Sequence, residues 1–215
     1  MKDAVHPILD RLLDKDKETY EHVLRVGTLA HCWTSQLELL EYEEREAFVA
    51  GCFIHDIGKI LIDTNILQKT SKLDREEWTL MRMHPELGVT LLSIEEIKNP
   101  NILDIVMYHH ERWDGLGYPQ GLQGTNIPKL ARMCSIIDAF DAMLSDRPYK
   151  KGMSLEEAKA ELLAQAGIQF DEMYVKQFLS LPDHLLHHPT LDDLEQMELQ
   201  GTILMSILPK MGSCL

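Results

Sequence analysis

The chain has 215 residues, of which 45% are hydrophobic and 26% are charged, and its net charge is −14 at pH 7. This size and composition are typical of one soluble globular domain. No apolar run approaches the about 20 residues needed to cross a bilayer, and residues 1–16 do not resemble a signal peptide. The negative charge argues against binding of a nucleic-acid polymer, which needs a basic surface. It does not exclude a small phosphorylated ligand held by metal ions.

The cysteine pattern argues against a structural zinc site and against a disulfide framework. None of the four cysteines forms a Cys-x-x-Cys pair; they are Cys32, Cys52, Cys134 and Cys214. Free thiols in a reducing compartment are therefore expected, which predicts a cytoplasmic protein.

The hydrophobic pattern predicts helices nearly throughout and shows little strand-like alternation. In chain order, the predicted helices cover residues 20–40, 43–53, 74–92, 101–110, 129–144 and 154–166. Asp74 is the expected N-cap of the third helix, in which His84-Pro85-Glu86 interrupts the pattern. Ser154, with Glu157 three residues later, forms a predicted capping box.

Two segments stand apart from this helical pattern. Residues 114–128 are rich in Gly and Pro, which predicts a surface loop that can fold over whatever the preceding residues bind. After Pro182 the composition changes, and residues 183–215 are predicted to form a C-terminal helical extension. We expect this extension to pack on the domain or on the partner in a dimer.

The run His55–Lys59 reads His-Asp-Ile-Gly-Lys. An adjacent His and Asp offer an imidazole nitrogen and a carboxylate to one metal, or to two metals through a bridging carboxylate. The alternative is a helix C-terminus at which His55 meets the dipole and Gly58 adopts a positive φ. The dipole disfavours Asp56 there, which favours the metal interpretation. Lys59 lies one turn from Asp56, where it can meet a phosphate oxygen or a leaving group.

Adjacent imidazoles at His109-His110 are difficult to explain as packing. Asp138 lies inside an otherwise apolar helix, with Asp141 on the same face, and a buried carboxylate is costly unless it is paired or binds a metal. The alternative partners for Asp138 are Arg132 and Arg147. The metal interpretation is preferred because it also explains the histidines.

Glu18 and His22 share one face of a helix because they are four residues apart. The alternatives are a solvated Glu18, or one that pairs with Lys15, and an ordinary hydrogen-bonded histidine. A structural role is likewise the alternative for His84. Together the candidate metal ligands are Glu18, His22, His55, Asp56, His84, His109, His110 and Asp138. This number suits two or three ions, and imidazole and carboxylate ligands without sulfur suit Fe or Mn, with Zn or Ni as alternatives.

These motifs, in their order along the chain, resemble the HD-GYP family, the branch of the HD phosphohydrolases that hydrolyses cyclic di-GMP. The resemblance covers residues 18–182, although Asp63-Thr64-Asn65 stand where a proline is common. The matching segments are Glu18-x-x-x-His22-x-x-Arg25-Val26, His55-Asp56-Ile57-Gly58-Lys59, Ile66-Leu67-Gln68-Lys69, Lys72-Leu73, Glu77-Trp78, His84-Pro85-Glu86-Leu87-Gly88, His109-His110-Glu111-x-x-Asp114-Gly115-x-Gly117-Tyr118-Pro119, Ile137-Asp138-Ala139-Phe140-Asp141-Ala142, Asp146-Arg147-Pro148-Tyr149-Lys150 and Gln169-Phe170-Asp171.

The resemblance implies an all-α, HD-type helical bundle with a five-helix core and additional C-terminal helices, in which residues 1–182 form the catalytic domain. It also implies hydrolysis of cyclic di-GMP to pGpG or GMP through a hydroxide that bridges the metals, and it favours three metal ions, of which Glu18 and His22 would hold the third. The implied catalytic residues are Asp56, Lys59 and Asp141, and the implied substrate contacts are Lys59, Gly117, Tyr118, Arg147 and Lys150.

Two alternatives to this function stay open. In the first, the chain is an HD phosphohydrolase that acts on another nucleotide. In the second, it has little turnover and serves as a cyclic dinucleotide sensor or as a contact module for other signalling proteins. Substrate assays on purified, metal-analysed protein separate these classes. The expected partners are a cyclic dinucleotide, a second copy of the chain and other signalling proteins.

Overall fold

A computed structural model describes residues 2–37, 40–146 and 151–186, with side chains from residue 7 onward. Within these ranges the chain forms eleven α-helices, two 3-10 segments and no strand, which confirms the prediction of an all-α fold. The helices are α1 (Lys2–Lys15), α2 (Lys17–Leu37), α3 (Tyr42–Ile54), α4 (Thr64–Leu67), α5 (Arg75–Met81), α6 (His84–Ile94), α7 (Pro100–Tyr108), α8 (Lys129–Leu144), α9 (Leu155–Ala164), α10 (Glu172–Leu179) and α11 (Asp183–Leu186). The 3-10 segments are Ile57–Leu61 and Gly124–Asn126.

The core lies between α2, α3, α7 and α8, with α6 packed against α7 and against the first 3-10 segment. Aromatic side chains fill the end of the core remote from His55: Trp33 is fully buried and meets Phe178 edge-on, with ring centroids 5.1 Å apart. Phe140 meets the same Phe178 ring at 5.1 Å. Such edge-to-face contacts stabilise a core beyond simple burial, so this end of the bundle anchors the helices that carry the polar cluster described below.

The six helices predicted from the sequence are found within about three residues of their predicted bounds except around Pro85, whereas α1 and α10 were not predicted. The single helix predicted for residues 74–92 is wrong, because α5 ends at Met81 and α6 begins at His84. Pro85 lies in the first turn of α6, and its ring would clash with the carbonyl four residues back if the helix were continuous. Asp74 does cap α5 through a capping box, as predicted. The break makes His84 the first residue of a new helix.

The C-terminal extension is described only at its start. Leu186 of α11 is buried and α11 packs against α2. Residues 187–215, including Cys214, lie outside the described residues, so the rest of the predicted extension is untested. Cys52 and Cys134 are buried free thiols, and Cys32 is partly buried. None of the described helices is both long enough and apolar enough to cross a bilayer.

Gly58 is required by a close backbone approach and not by its φ angle. It is absent from the positive-φ glycines, so the alternative interpretation, in which Gly58 ends a helix with a positive φ, is wrong. A Cβ atom at this position would lie 1.9 Å from the carbonyl oxygen of His84 and 2.6 Å from the amide nitrogen of Gly88. Both contacts are with backbone atoms that cannot rotate away, so glycine lets the segment after Asp56 pack directly on the start of α6.

We predict that Gly58→Ala lowers the free energy of unfolding by about 1–3 kcal/mol, the range typical of overpacking. Urea denaturation measures this change. Gly124→Asn is a suitable control, because Gly124 has open space around it and a φ of 58° that asparagine tolerates. Equal stability of Gly58→Ala and wild type would contradict the tight packing described here.

Candidate metal centre

Seven of the eight predicted ligands come together in two groups. In each group, one ligand atom per residue lies within 4.8 Å of the others. The first group is Asp56, His84, His109 and His110, and the second is His22, His55 and Asp138. His22 and Asp138, which are 116 positions apart in the sequence, thus lie in the same group.

Helix ends supply most of these side chains. His55 is the C-cap of α3 and Asp56 follows it, while His109 is the C-cap of α7 and His110 follows it. His84 begins α6. Only His22 and Asp138 come from helix interiors, on α2 and α8, which pack against each other.

The backbone fixes the tautomer of three histidines. Each hydrogen-bonds through Nδ1 to a carbonyl oxygen in the preceding turn: His55 to Cys52 (2.8 Å), His84 to Met81 (2.8 Å) and His109 to Val106 (3.0 Å). A carbonyl can only accept, so Nδ1 carries the proton and the neutral ring leaves a lone pair on Nε2. Such a contact is how metal-binding histidines are commonly oriented.

The Nε2 atoms of these histidines accept no hydrogen bond from a donor in the described residues, and they lie close together. Nε2 of His84 and Nε2 of His109 are 3.2 Å apart, so two lone pairs face each other. Nε2 of His55 and Oδ1 of Asp56 are buried and have no hydrogen-bond partner in the described part of the chain. Buried acceptors without partners are costly, and a cation removes that cost. The residues present therefore fit divalent metal ions.

Asp56 lies between the two groups. Its Oδ1 is 3.1 Å from Nε2 of His84 and 3.8 Å from Nε2 of His109. Its Oδ2 is 3.6 Å from Nε2 of His55 and 3.8 Å from Nε2 of His22. One carboxylate oxygen thus faces each group, which is the arrangement expected of a bridging ligand.

Asp138 also faces both groups. Its Oδ1 is 3.0 Å from Nε2 of His22, and its Oδ2 is 3.9 Å from Nδ1 of His110. Among the alternative partners considered for Asp138, Arg132 instead pairs with Asp171. Arg147 lies outside the described residues.

Asp141 orients His22. Its carboxylate accepts a 2.7 Å hydrogen bond from Nδ1 of His22, and Arg25 donates to both of its oxygens at 2.8 and 3.0 Å. Burial would lower the pKa of His22, but the hydrogen bonds to Asp138 and Asp141 outweigh burial and raise this pKa to about 9. Asp141 is itself fully buried, so it is placed to act through His22.

The protonation states suit metal binding in most of the cluster. Burial lowers the pKa of His55, His109 and His110, in the last case to about 3, so these rings are neutral near pH 7. Burial would raise the pKa of Asp138, but the hydrogen bond from His22 and the charges of nearby histidines outweigh it, and the pKa is lowered. Neutral imidazoles and ionised carboxylates are the forms that bind metals.

Lys59 donates a 2.6 Å hydrogen bond to Oδ2 of Asp56. Burial would lower the pKa of Lys59, but the charge of Asp56 outweighs burial and raises it. Lys59 is therefore an ammonium ion at neutral pH. It can donate a proton or a hydrogen bond, but it cannot act as a general base.

Of the predicted metal ligands, Glu18 does not join either group. Glu18 is exposed and stands outside both groups. Arg147 and Lys150 lie outside the described residues, so their predicted contacts with substrate are untested.

The loop after His110 packs on the cluster. The ring of Tyr118 stacks on His110 with centroids 4.7 Å apart and an interplanar angle of 28°. A Cβ atom on Gly117 would lie 2.4 Å from the amide nitrogen of Arg112 and 2.6 Å from the carbonyl oxygen of His110. The Gly-Tyr pair therefore lets the loop approach the histidines closely enough for ring stacking.

Glu111 was not assigned a role from the sequence. Its buried carboxylate accepts three backbone N–H groups of the loop, from Gln120 (2.7 Å), Gly121 (3.0 Å) and Leu122 (3.0 Å). It thus holds the returning half of the loop beside the cluster. In the sequence, this role is indicated only by a carboxylate directly before a Gly-rich loop, because the amides of such a loop need acceptors.

A pocket of about 800 Å³ opens over the cluster. His109, His110 and Asp138 form part of its wall, together with Tyr118 and residues of α5. This volume lies within the range typical of small-molecule sites. The buried ligand atoms are therefore accessible to a ligand from one side.

Comparisons with known proteins agree with this geometry. Residues 7–173 match the family model described as HD domain. A cyclic di-GMP phosphodiesterase from Pseudomonas aeruginosa is 40% identical over 171 residues, which are 80% of this chain and 41% of that protein. A 3'3'-cGAMP-specific phosphodiesterase from Vibrio cholerae is 35% identical over 190 residues, which are 86% of this chain and 35% of that protein. The chain thus spans well under half the length of these relatives.

The fold is shared with a solved structure of low sequence identity. The HD domain of the Listeria monocytogenes phosphodiesterase PgpH, in complex with cyclic di-AMP, superposes with a TM-score of 0.61 at 21% identity. The match covers 84% of this chain and 95% of that one. Since the family model spans most of the chain and the Gly-Tyr-Pro motif is intact, the chain belongs to the HD domain family, within its HD-GYP branch.

Proposed function

We propose that this chain is a metal-dependent phosphodiesterase that hydrolyses cyclic di-GMP to pGpG or GMP. The observation that carries the proposal is the pair of ligand groups with Asp56 between them, beside a pocket of about 800 Å³ that His109, His110 and Asp138 help to line. The similarity to named cyclic di-GMP phosphodiesterases supports this choice of substrate. The similarity to a cGAMP-specific relative makes a mixed cyclic dinucleotide the alternative substrate.

The ligand atoms support a centre of two ions. His84, His109 and His110 would hold one ion, His22, His55 and Asp138 would hold the other, and Asp56 would contact both. Imidazole and carboxylate ligands without thiolate favour Fe or Mn, with Zn or Ni as alternatives. When bound, such ions supply Lewis-acid chemistry: they activate a water near neutral pH and stabilise the charge that develops on the phosphate.

The chain's own side chains complete the chemistry around the phosphate. Lys59 is protonated and lies beside Asp56, so it would donate to a phosphate oxygen or to the leaving oxygen. Burial raises the pKa of Tyr118, so its hydroxyl also keeps its proton and can donate. Asp141 and Arg25 would keep Nε2 of His22 aimed at the cluster, because a second partner on Nδ1 fixes the ring. Arg147 and Lys150 remain the proposed contacts for the second phosphate.

We predict that anaerobically purified protein loaded with Mn²⁺ or Fe²⁺ converts cyclic di-GMP to pGpG or GMP, and that Asp56→Asn loses this activity. Asparagine keeps the shape of the side chain but removes the charge shared by both groups. Turnover should fall about a hundredfold or more, and metal content should fall with it. Chromatography of the products and elemental analysis of the protein measure the two effects.

Asp14→Asn is the matched control, because Asp14 is an exposed aspartate on α1. It should leave activity and metal content unchanged. Full metal content in Asp56→Asn would show that the ligand set is misassigned. A metal-loaded wild type that binds cyclic di-GMP without turnover would instead support the sensor alternative.

Metal counting on Glu18→Ala tests whether a third ion is present. Glu18 precedes His22 by one helical turn but is exposed and outside both groups. We therefore predict two ions per chain in wild type and in Glu18→Ala, measured by elemental analysis with anomalous scattering at the site. Three ions in the wild type and two in the variant would show instead that Glu18 completes a third site.

A further inference from the structure

Helix α5 carries an exposed tryptophan that the core does not use. None of the residues of α5 is buried, and the helix is held by its capping box and by the ion pair between Lys69 and Glu77. Trp78 is 52% exposed, whereas Trp33 is fully buried. Tryptophan has the largest apolar surface of any side chain, so leaving half of it in water is costly unless a ligand covers it.

Trp78 lines the pocket that opens over the metal centre. Arg75, Trp78 and Arg82 are spaced three and four residues apart, so they share one face of the helical turn. All three line the same pocket as His110 and Asp138. The aromatic surface is therefore continuous with the cluster and is not an isolated patch.

Tyr118 has little ring surface left for a ligand. Its ring stacks on His110, and the guanidinium of Arg82 lies 4.5 Å from its centroid. Each face of an aromatic ring accommodates one planar group at such distances. Among the described residues that line the pocket, Trp78 is thus the side chain best able to stack with a base. The resemblance implies that Tyr118 contacts the substrate. The stacking observed here indicates that its ring instead supports His110 and Arg82.

The charge of this wall is complementary to a nucleotide. Arg112, also in the pocket, pairs with Asp114. Arg75 and Arg82 have no carboxylate at ion-pair distance in the described part of the chain. Unpaired guanidinium groups are notable in a chain with a net charge of −14. A guanidinium that already rests on a ring keeps its N–H edge free to donate to a phosphate.

We propose that Trp78 is the stacking surface for one purine base of the cyclic dinucleotide, and that Arg82, one turn further along α5, donates to the phosphate of that nucleotide. This proposal rests on the proposed function, because it names the recognition surface of the same site. The pocket would then have a buried part that binds the metals and an exposed part that binds a base.

Binding of the bisphosphorothioate analogue of cyclic di-GMP, which resists hydrolysis, tests the proposal on metal-loaded protein. Trp78→Ala should weaken binding about tenfold or more, the loss typical of a removed base stack. Trp78→Phe should recover most of the affinity. Arg82→Ala should also weaken binding and reduce its sensitivity to salt.

Leu80→Ala is the matched control. Leu80 is 47% exposed on the same helix but does not line the pocket. It should bind the analogue like wild type, and every variant should retain wild-type metal content. Quenching of tryptophan fluorescence by the analogue should be large in wild type and small in Trp78→Phe, because the stacked indole is then absent.

The outcomes separate this proposal from the proposed function. Binding that depends on Trp78 without turnover of cyclic di-GMP would uphold the base site and remove the hydrolase. Turnover with unchanged affinity in Trp78→Ala would overturn the base site and keep the hydrolase. An equal loss of affinity in Leu80→Ala would also overturn it, since the effect would then come from disruption of α5.

Discussion

The centre depends on hydrogen bonds between imidazole Nδ1–H groups and backbone carbonyls at helix ends. His55, His84 and His109 each make this contact within one turn of their own position. The last carbonyls of a helix lack intrahelical partners, so one contact satisfies a helix end and fixes a ring at the same time. The consequence is that several Nε2 lone pairs converge on one buried point. The unfavourable free energy of these facing lone pairs is offset when a cation binds there.

The charges of the cluster are balanced even without a metal. Lys59 pairs with Asp56, and His22 lies between Asp138 and Asp141 with its pKa raised to about 9. These cations stand where positive charge is needed to keep the buried carboxylates ionised. Metal binding must therefore displace the contact of His22 with Asp138.

The sequence predicts most of the candidate metal ligands that the structure brings together, whereas it does not predict the walls of the pocket. Adjacent pairs such as His55-Asp56 and a carboxylate inside an apolar helix are unusual enough to predict metal binding from residue types alone. Glu111 and Trp78 are different, because a glutamate before a loop and a tryptophan in an amphipathic helix are ordinary locally. Only the tertiary structure shows that Glu111 meets three loop amides and that Trp78 lines the pocket. The interruption at Pro85 is visible in the sequence, but the hydrophobic period continues across it, which favours one helix where the structure has two.

Recognition of the base and metal-assisted hydrolysis would take place in different parts of the pocket. Buried imidazoles oriented by the backbone can bind metals and polarise a phosphate, but they cannot distinguish one purine from another. Helix α5 has no residue buried in the core. Its exposed face can therefore change its side chains at little expense of stability, whereas a change at Gly58 or His109 would disturb the packing on which the metal centre depends.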